Sequence, residues 1–170
     1  FGNDHPDTLI SINNMGALLE AKGELDRAET LFRESLQSRR RVLGEDHPST
    51  LTAVNRLAAL RRELGDAAEA ESLLADSVER GRAVLRPRPL GWTLKLHAEA
   101  LLDLARHDEA LDRATEAYEL LAESSGHAQA ATQSVVELLV AIFESWHDID
   151  PSAQHDASAA EWRERLVERD

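Results

Sequence analysis

The chain matches itself at an offset of 42 residues. Residues 1–9 (FGNDHPDTL) align with residues 43–51 (LGEDHPSTL), taking His5 to His47. The same offset carries Asn13 to Asn55, Gly23 to Gly65, Ala28 to Ala70, Glu29 to Glu71 and Leu31 to Leu73. Self-similarity at such a period marks small units that cannot bury their apolar faces alone and stack on their neighbours to do so. This one feature removes most single-core folds from consideration.

Within each unit the apolar spacing is helical. Leu9, Ile12, Met15, Gly16 and Leu19 recur at steps of three and four, one face of a 3.6-residue period. Gly23 interrupts the stripe where a helix end favours glycine. A second stripe follows in Leu25, Ala28, Leu31, Phe32, Ser35 and Leu36. Pro6 or Pro48 marks each first turn, with Asp7 or Ser49 as expected caps. The second unit repeats the pattern in Leu51, Val54, Leu57 and Ala58, then Gly65, then Ala70, Leu73, Leu74, Ser77 and Val78. Small residues (Gly16, Ala58, Ala28, Ala70) fall where paired helices cross.

The third unit is degenerate. Arg86-Pro-Arg-Pro89 replaces the GEDHP turn, and Ala105 stands where glycine stood before. Its helices carry Leu94, His97, Ala98 and Leu101, then Ala110, Ala114, Ala117, Tyr118 and Leu121. After a break at 123–126, a fourth pair runs from about His127 to Trp146 and then through Ala159, Ala160, Trp162 and Leu166, with a charged outer face suited to ending a stack. The expectation is an all-α, right-handed superhelical solenoid of about four antiparallel helix pairs. Its expected repeats are 1–43, 44–86, 87–125 and 126–170, within a single domain. Phe1-Gly2 align with the tail of a second helix at Leu43-Gly44, which reads as a piece of a longer protein.

Composition narrows the function. A net charge of −13 disfavours phosphate backbones and anionic lipid surfaces as partners. The absence of cysteine removes disulfides, thiolate zinc sites and cysteine nucleophiles. No apolar run reaches membrane-spanning length, and the expected setting is cytoplasmic. No GxSxG, phosphate-loop or kinase motif is present, so neither an enzyme nor a cofactor is expected.

The stretches GEDHPSTLTAVNRLAALRRELGDAAEAESLL and HPDTLISINNMGALLEAKGELDRAETLF resemble the 42-residue tetratricopeptide repeat of the kinesin light chain type. The ordinary unit of that family is about 34 residues. The resemblance is close over residues 1 to about 85 and continues more weakly to the end. The segments FESWHD and AAEWRERL resemble the ends of repeat regions that follow protein kinase domains in some bacteria.

The resemblance implies a protein–protein interaction scaffold that holds an extended peptide or protein segment on a concave face lined by the first helices. Inward asparagines there pair with a peptide backbone, and Asn13 and Asn55 match such positions. Their equivalents are Lys95 in the third unit and Glu137 in the fourth. Neighbouring groove candidates are Asn14, Arg56, Trp92, Glu20 and Arg62, with Ala17 and Ala59 leaving room. An acidic side chain or terminal carboxylate is expected near Arg56 and Lys95. Against this stands the ordinary role of helical asparagines, which cap, bond to a neighbouring repeat or face solvent. Trp92 either lines the groove or covers the Pro87–Pro89 connection.

Two other functions remain on the sequence. The chain could be a regulatory module of an attached kinase or transcription regulator. It could also be a metal-dependent hydrolase using His147, Asp148, Asp150, His155 and Asp156, although these match no metal-binding spacing and read as a solvated loop. His5 and His47 read as elements of the turns, and His97 as a satisfied core histidine. Loss of a preceding repeat would expose an apolar edge near Ile12 and Phe32, open to a second copy.

Overall fold

The 42-residue offset becomes two helix pairs of the same construction. In the computed structural model, which describes residues 6–125, 129–151 and 155–167, α1 (Pro6–Ala21) and α3 (Pro48–Glu63) both begin at the proline of the HP dipeptide. They are followed by α2 (Leu25–Leu43) and α4 (Ala67–Val84). The degenerate half gives α5 (Pro87–Asp103), α6 (His107–Ser125), α7 (Ala130–Ile149) and α8 (His155–Val167). The described residues contain helices and no strands. Phe1, Gly2 and His5, and the expected start of the fourth pair at His127, lie outside them.

Each turn inside a pair has a chemical reason. Gly23 and Gly65 sit at φ 76° and 85°, and the residue after each sends its N–H back to the helix, Glu24 to Leu19 and Asp66 to Arg61. This is the left-handed helix stop that glycine enters without penalty. Ala105 makes the same turn at φ 56°, with Arg106 N–H bonded to the Leu101 carbonyl at 2.9 Å. An alanine there carries a steric cost of about 1 kcal/mol.

The entry segment before α3 is a small hydrogen-bonded device. Its cap is His47, whose Nδ1 accepts from the Ser49 N–H at 3.1 Å, so the expectation of Ser49 as the cap is corrected. Imidazole reaches the amide two residues on, as the shorter capping side chains do. The buried Thr50 donates its hydroxyl to the Gly44 carbonyl at 2.8 Å, and Arg80 of α4 reaches Asp46 at 2.8 Å. These contacts give His47 and Thr50 of the motif a structural role.

The chain divides into two compact units, residues 1–84 and 85–170. In the first, α1 packs on α2, α2 on α3 and α3 on α4. Its core is Leu19, Ala28, Phe32, Leu36, Ala53, Val54, Leu57 and Leu60. Gly16 permits the closest approach: a Cβ there would lie 2.5 Å from Phe32 Cε1. Phe32 is 2% exposed, so it is not the exposed edge expected from the sequence. The exposed apolar residues of α1 are Ile10, Met15 and Leu18, whereas Leu57 and Leu60, at the repeat equivalents of Met15 and Leu18, are buried.

In the second unit α5 packs on α6 and α7, α6 on α7, and α7 on α8. Alanines (Ala98, Ala110, Ala114, Ala117) let its helices approach, and Leu94, Leu101, Leu121, Leu139 and Ile142 are almost fully buried. Its far end is aromatic. Trp146 stacks on His107 (5.7 Å between centroids) and on His155 (4.3 Å), and Tyr118 meets Trp162 edge-on at 4.9 Å.

Candidate functional site

α1 and α3 carry the residues expected to grip a partner, and the first unit brings some of them together. Asn13, Arg39, Ser49, Thr52, Ala53 and Arg56 line one open cleft of about 190 Å³. Asn13 and Arg56 were expected there. Arg39, on α2, was not, because a concave face lined by the first helix of each pair leaves α2 out.

The polar state of this cleft sets it apart from the rest of the surface. Most arginines of the first unit have carboxylate partners. Arg33 holds Glu29 at 2.7 Å and Glu69 at 2.8 Å, Arg61 joins Glu29, Asp66 and Glu69, and Arg80 holds Asp76 and Asp46. Hydrogen bonds donated to Glu29 and Glu69 push the Arg33 guanidinium above the usual arginine range. Arg39 differs. Its Nε donates to the neutral Ser35 hydroxyl at 3.3 Å, and burial alone holds its guanidinium below the usual range. It has lost water without gaining an anion among the described residues. Among the described residues, no carboxylate lines the cleft. Beside it, Glu20 is pushed above the ordinary carboxylate range by burial and by Glu63, and Arg56 only partly offsets this.

The other expected residues are placed differently. Asn55 is buried, and its Oδ1 accepts from the Ser77 hydroxyl of α4 at 3.2 Å, so it ties the second pair together. The repeat equivalent of Ser77 is Ser35, which takes the Arg39 hydrogen bond, and that of Arg39 is Gly81. The two repeats therefore answer the same Asn–Ser position in different ways. Asn14 is exposed on α1, and Arg62 is half-buried in the last turn of α3, where its carbonyl accepts the Gly65 N–H at 2.9 Å.

In the second unit Lys95 is buried and forms an ion pair with Glu99 one turn along α5. Its Nζ lies 5.2 Å from the centroid of Trp92, which is 46% exposed. The Lys95 charge is thus met within its own helix. Among the described residues, no three His, Asp or Glu side chains gather as a metal site would require, and His155 instead stacks on Trp146. No described helix is long and apolar enough to cross a membrane.

The tetratricopeptide repeat family model matches residues 7–83 and 49–123. The chain belongs to the tetratricopeptide repeat family. Repeats of this family are generally protein–protein interaction scaffolds and typically have no enzymatic role. No curated protein sequence matches the chain. Among solved structures, two forms of a kinesin light chain protein of Podosopora anserina with nearly identical TPR-like repeats are similar. One has TM-score 0.81 and 19% identity over 99% of this chain and 77% of that one. The other has TM-score 0.78 and 19% identity over 99% and 78%. BtubC from P. vanneervenii has TM-score 0.76 and 15% identity over 96% of this chain and 66% of that chain. At these identities the likeness concerns the fold.

Proposed function

We propose that this tetratricopeptide chain holds an extended polypeptide segment, and that the cleft of Asn13, Arg39 and Arg56 is where the segment is gripped. The observation that carries the reading is a pair of guanidiniums lining one cleft that no carboxylate among the described residues lines, in a chain of net charge −13. A partly desolvated arginine without an anion is costly in the free protein and gains most from an incoming one. The Asn13 amide offers one acceptor and two donors, enough to pair with a peptide unit of any sequence. The partner is therefore a segment with a negatively charged group set beside an exposed backbone, and the setting is cytoplasmic.

The test replaces Asn13 and Arg56 together by alanine. Asn55→Ala is a poorer choice, because it would strip the Ser77 hydroxyl of its acceptor. The double variant should keep its helical circular dichroism and lose peptide capture by at least about tenfold, the loss of one charge-assisted and one neutral hydrogen bond. Undiminished capture would place the grip elsewhere.

A further inference from the structure

We propose that the Arg39–Arg56 cleft is a phosphomonoester site, taking the phosphate of a phosphorylated serine or threonine in the bound segment. This rests on the peptide-binding reading above and goes further, by naming the group that the cleft selects.

Charge matching favours a phosphate. The cleft is lined by two arginines, an asparagine, a serine, a threonine and an alanine, with no acidic residue among them. A phosphomonoester carries about −1.5 to −2 charges near neutral pH and three strong acceptor oxygens. A carboxylate carries one charge and two oxygens. It would satisfy one guanidinium fork and leave the second cleft arginine, the half-buried Arg39 or the exposed Arg56, unmet by the ligand.

Donor supply also favours a phosphate. Arg39 spends only its Nε, on Ser35, at 3.3 Å. The Asn13 amide adds donors, and the Ser49 hydroxyl adds another. Thr52 does not, because its hydroxyl already donates to the Pro48 carbonyl at 2.9 Å. Ser49 and Thr52 lie in the first turn and a half of α3, whose N-terminal end also favours an anion. The volume, about 190 Å³, is several times the share of one water and leaves room for a tetrahedral group with its linking carbon.

The site is not a by-product of the repeat. Moving 42 residues on, Arg39 becomes Gly81 and Asn13 becomes Asn55. There the asparagine is bonded to Ser77 and buried. An arginine on Ser35 in the first pair, where the second pair has an Asn–Ser bond and a glycine, points to a ligand and not to helix packing.

The test presents the protein with three libraries of 15-residue peptides whose central residue is fixed as phosphoserine, serine or glutamate. N-acetyl-phosphoserine amide and inorganic phosphate serve as separate competitors. Phosphoserine peptides should be retained about tenfold better than serine peptides, with glutamate between, and the preference should weaken as pH falls through the phosphate's second ionisation near 6. Arg39→Ala and Arg56→Ala should each remove the preference, whereas Arg88→Ala, an exposed arginine outside the cleft, should leave it intact. Should Arg39→Ala fail to fold, Arg39→Lys keeps the charge without the fork and should retain only part of the preference. Equal retention of serine and phosphoserine peptides would overturn the phosphate assignment while leaving the peptide reading intact. Inorganic phosphate competing as well as the phosphopeptide would overturn the peptide source of the phosphate. Retention of none of the three libraries would sink both readings.

Discussion

At the scale of single residues, the repeat conserves summed volume and not identity. Gly16 faces Phe32 in the first pair, and the same offset gives Ala58 and Leu74 in the second, both fully buried. The methyl added at residue 58 goes with a smaller side chain opposite. Gly16→Ala should therefore destabilise by about 1–3 kcal/mol through overpacking. Adding Phe32→Leu should restore most of it, a coupling that a double-mutant cycle by urea unfolding measures. Additive losses would show that the two positions do not trade volume. Ala105→Gly should act in the other direction, raising stability by about 0.5 kcal/mol, because the left-handed turn at φ 56° suits glycine better. Sequence comparison found this position from Gly23 and Gly65 alone. It could not find Arg39, since the equivalent residue is Gly81 and a site present once leaves no trace in a repeat.

At the scale of elements, the helices of the first unit are joined by ions as well as by leucines. Arg61 of α3 reaches Glu29 of α2 at 3.2 Å and Glu69 of α4 at 2.7 Å, and it also pairs with Asp66, which caps α4 through the Glu69 N–H at 3.1 Å. One guanidinium, with a side chain 19% exposed, thus connects three helices. Arg61→Ala should cost about 1 kcal/mol or more, part of it lost packing of the long stem. Thermal unfolding checks this, and an unchanged midpoint would mean that the network is decorative. The helices themselves were legible from the 3.6-residue stripes, since apolar periodicity and glycine stops are local signals. The ion network was not, because its links from Arg61 to Glu29 and from Arg33 to Glu69 span 32 and 36 residues and charges at its shorter spacings occur on many exposed helix faces. The Lys95–Glu99 pair shows the opposite case: its spacing of four was visible in the chain, but its burial was not.

At the scale of the whole molecule, acid should act through a few bonded carboxylates. Asp66 is held below its ordinary value of 3.8, first by the Glu69 N–H and then by Arg61. Glu109 is held below 4.5 by its hydrogen bond from Arg106. A folded-state value below the unfolded one adds stability that is present above the unfolded value and lost as pH falls through the folded one. Glu20, raised by burial, has the reverse sign: its contribution is full below 4.5 and is lost as pH rises through the folded value. The melting temperature should fall below about pH 4, and Asp66→Asn should flatten that acid limb. An identical limb in the variant would assign the loss to other groups.

The aromatic residues give this chain an uneven set of optical labels. Trp92, Trp146, Trp162 and Tyr118 all lie within 85–170, while the described part of 1–84 contains no indole or phenol. Emission near 340 nm is therefore blind to one half of the protein, whereas far-ultraviolet ellipticity sees both. A denaturant titration followed by both signals is a built-in measure of cooperativity. Superimposed curves would mean that the halves melt together, and a gap between the midpoints would give their difference in stability without any added dye.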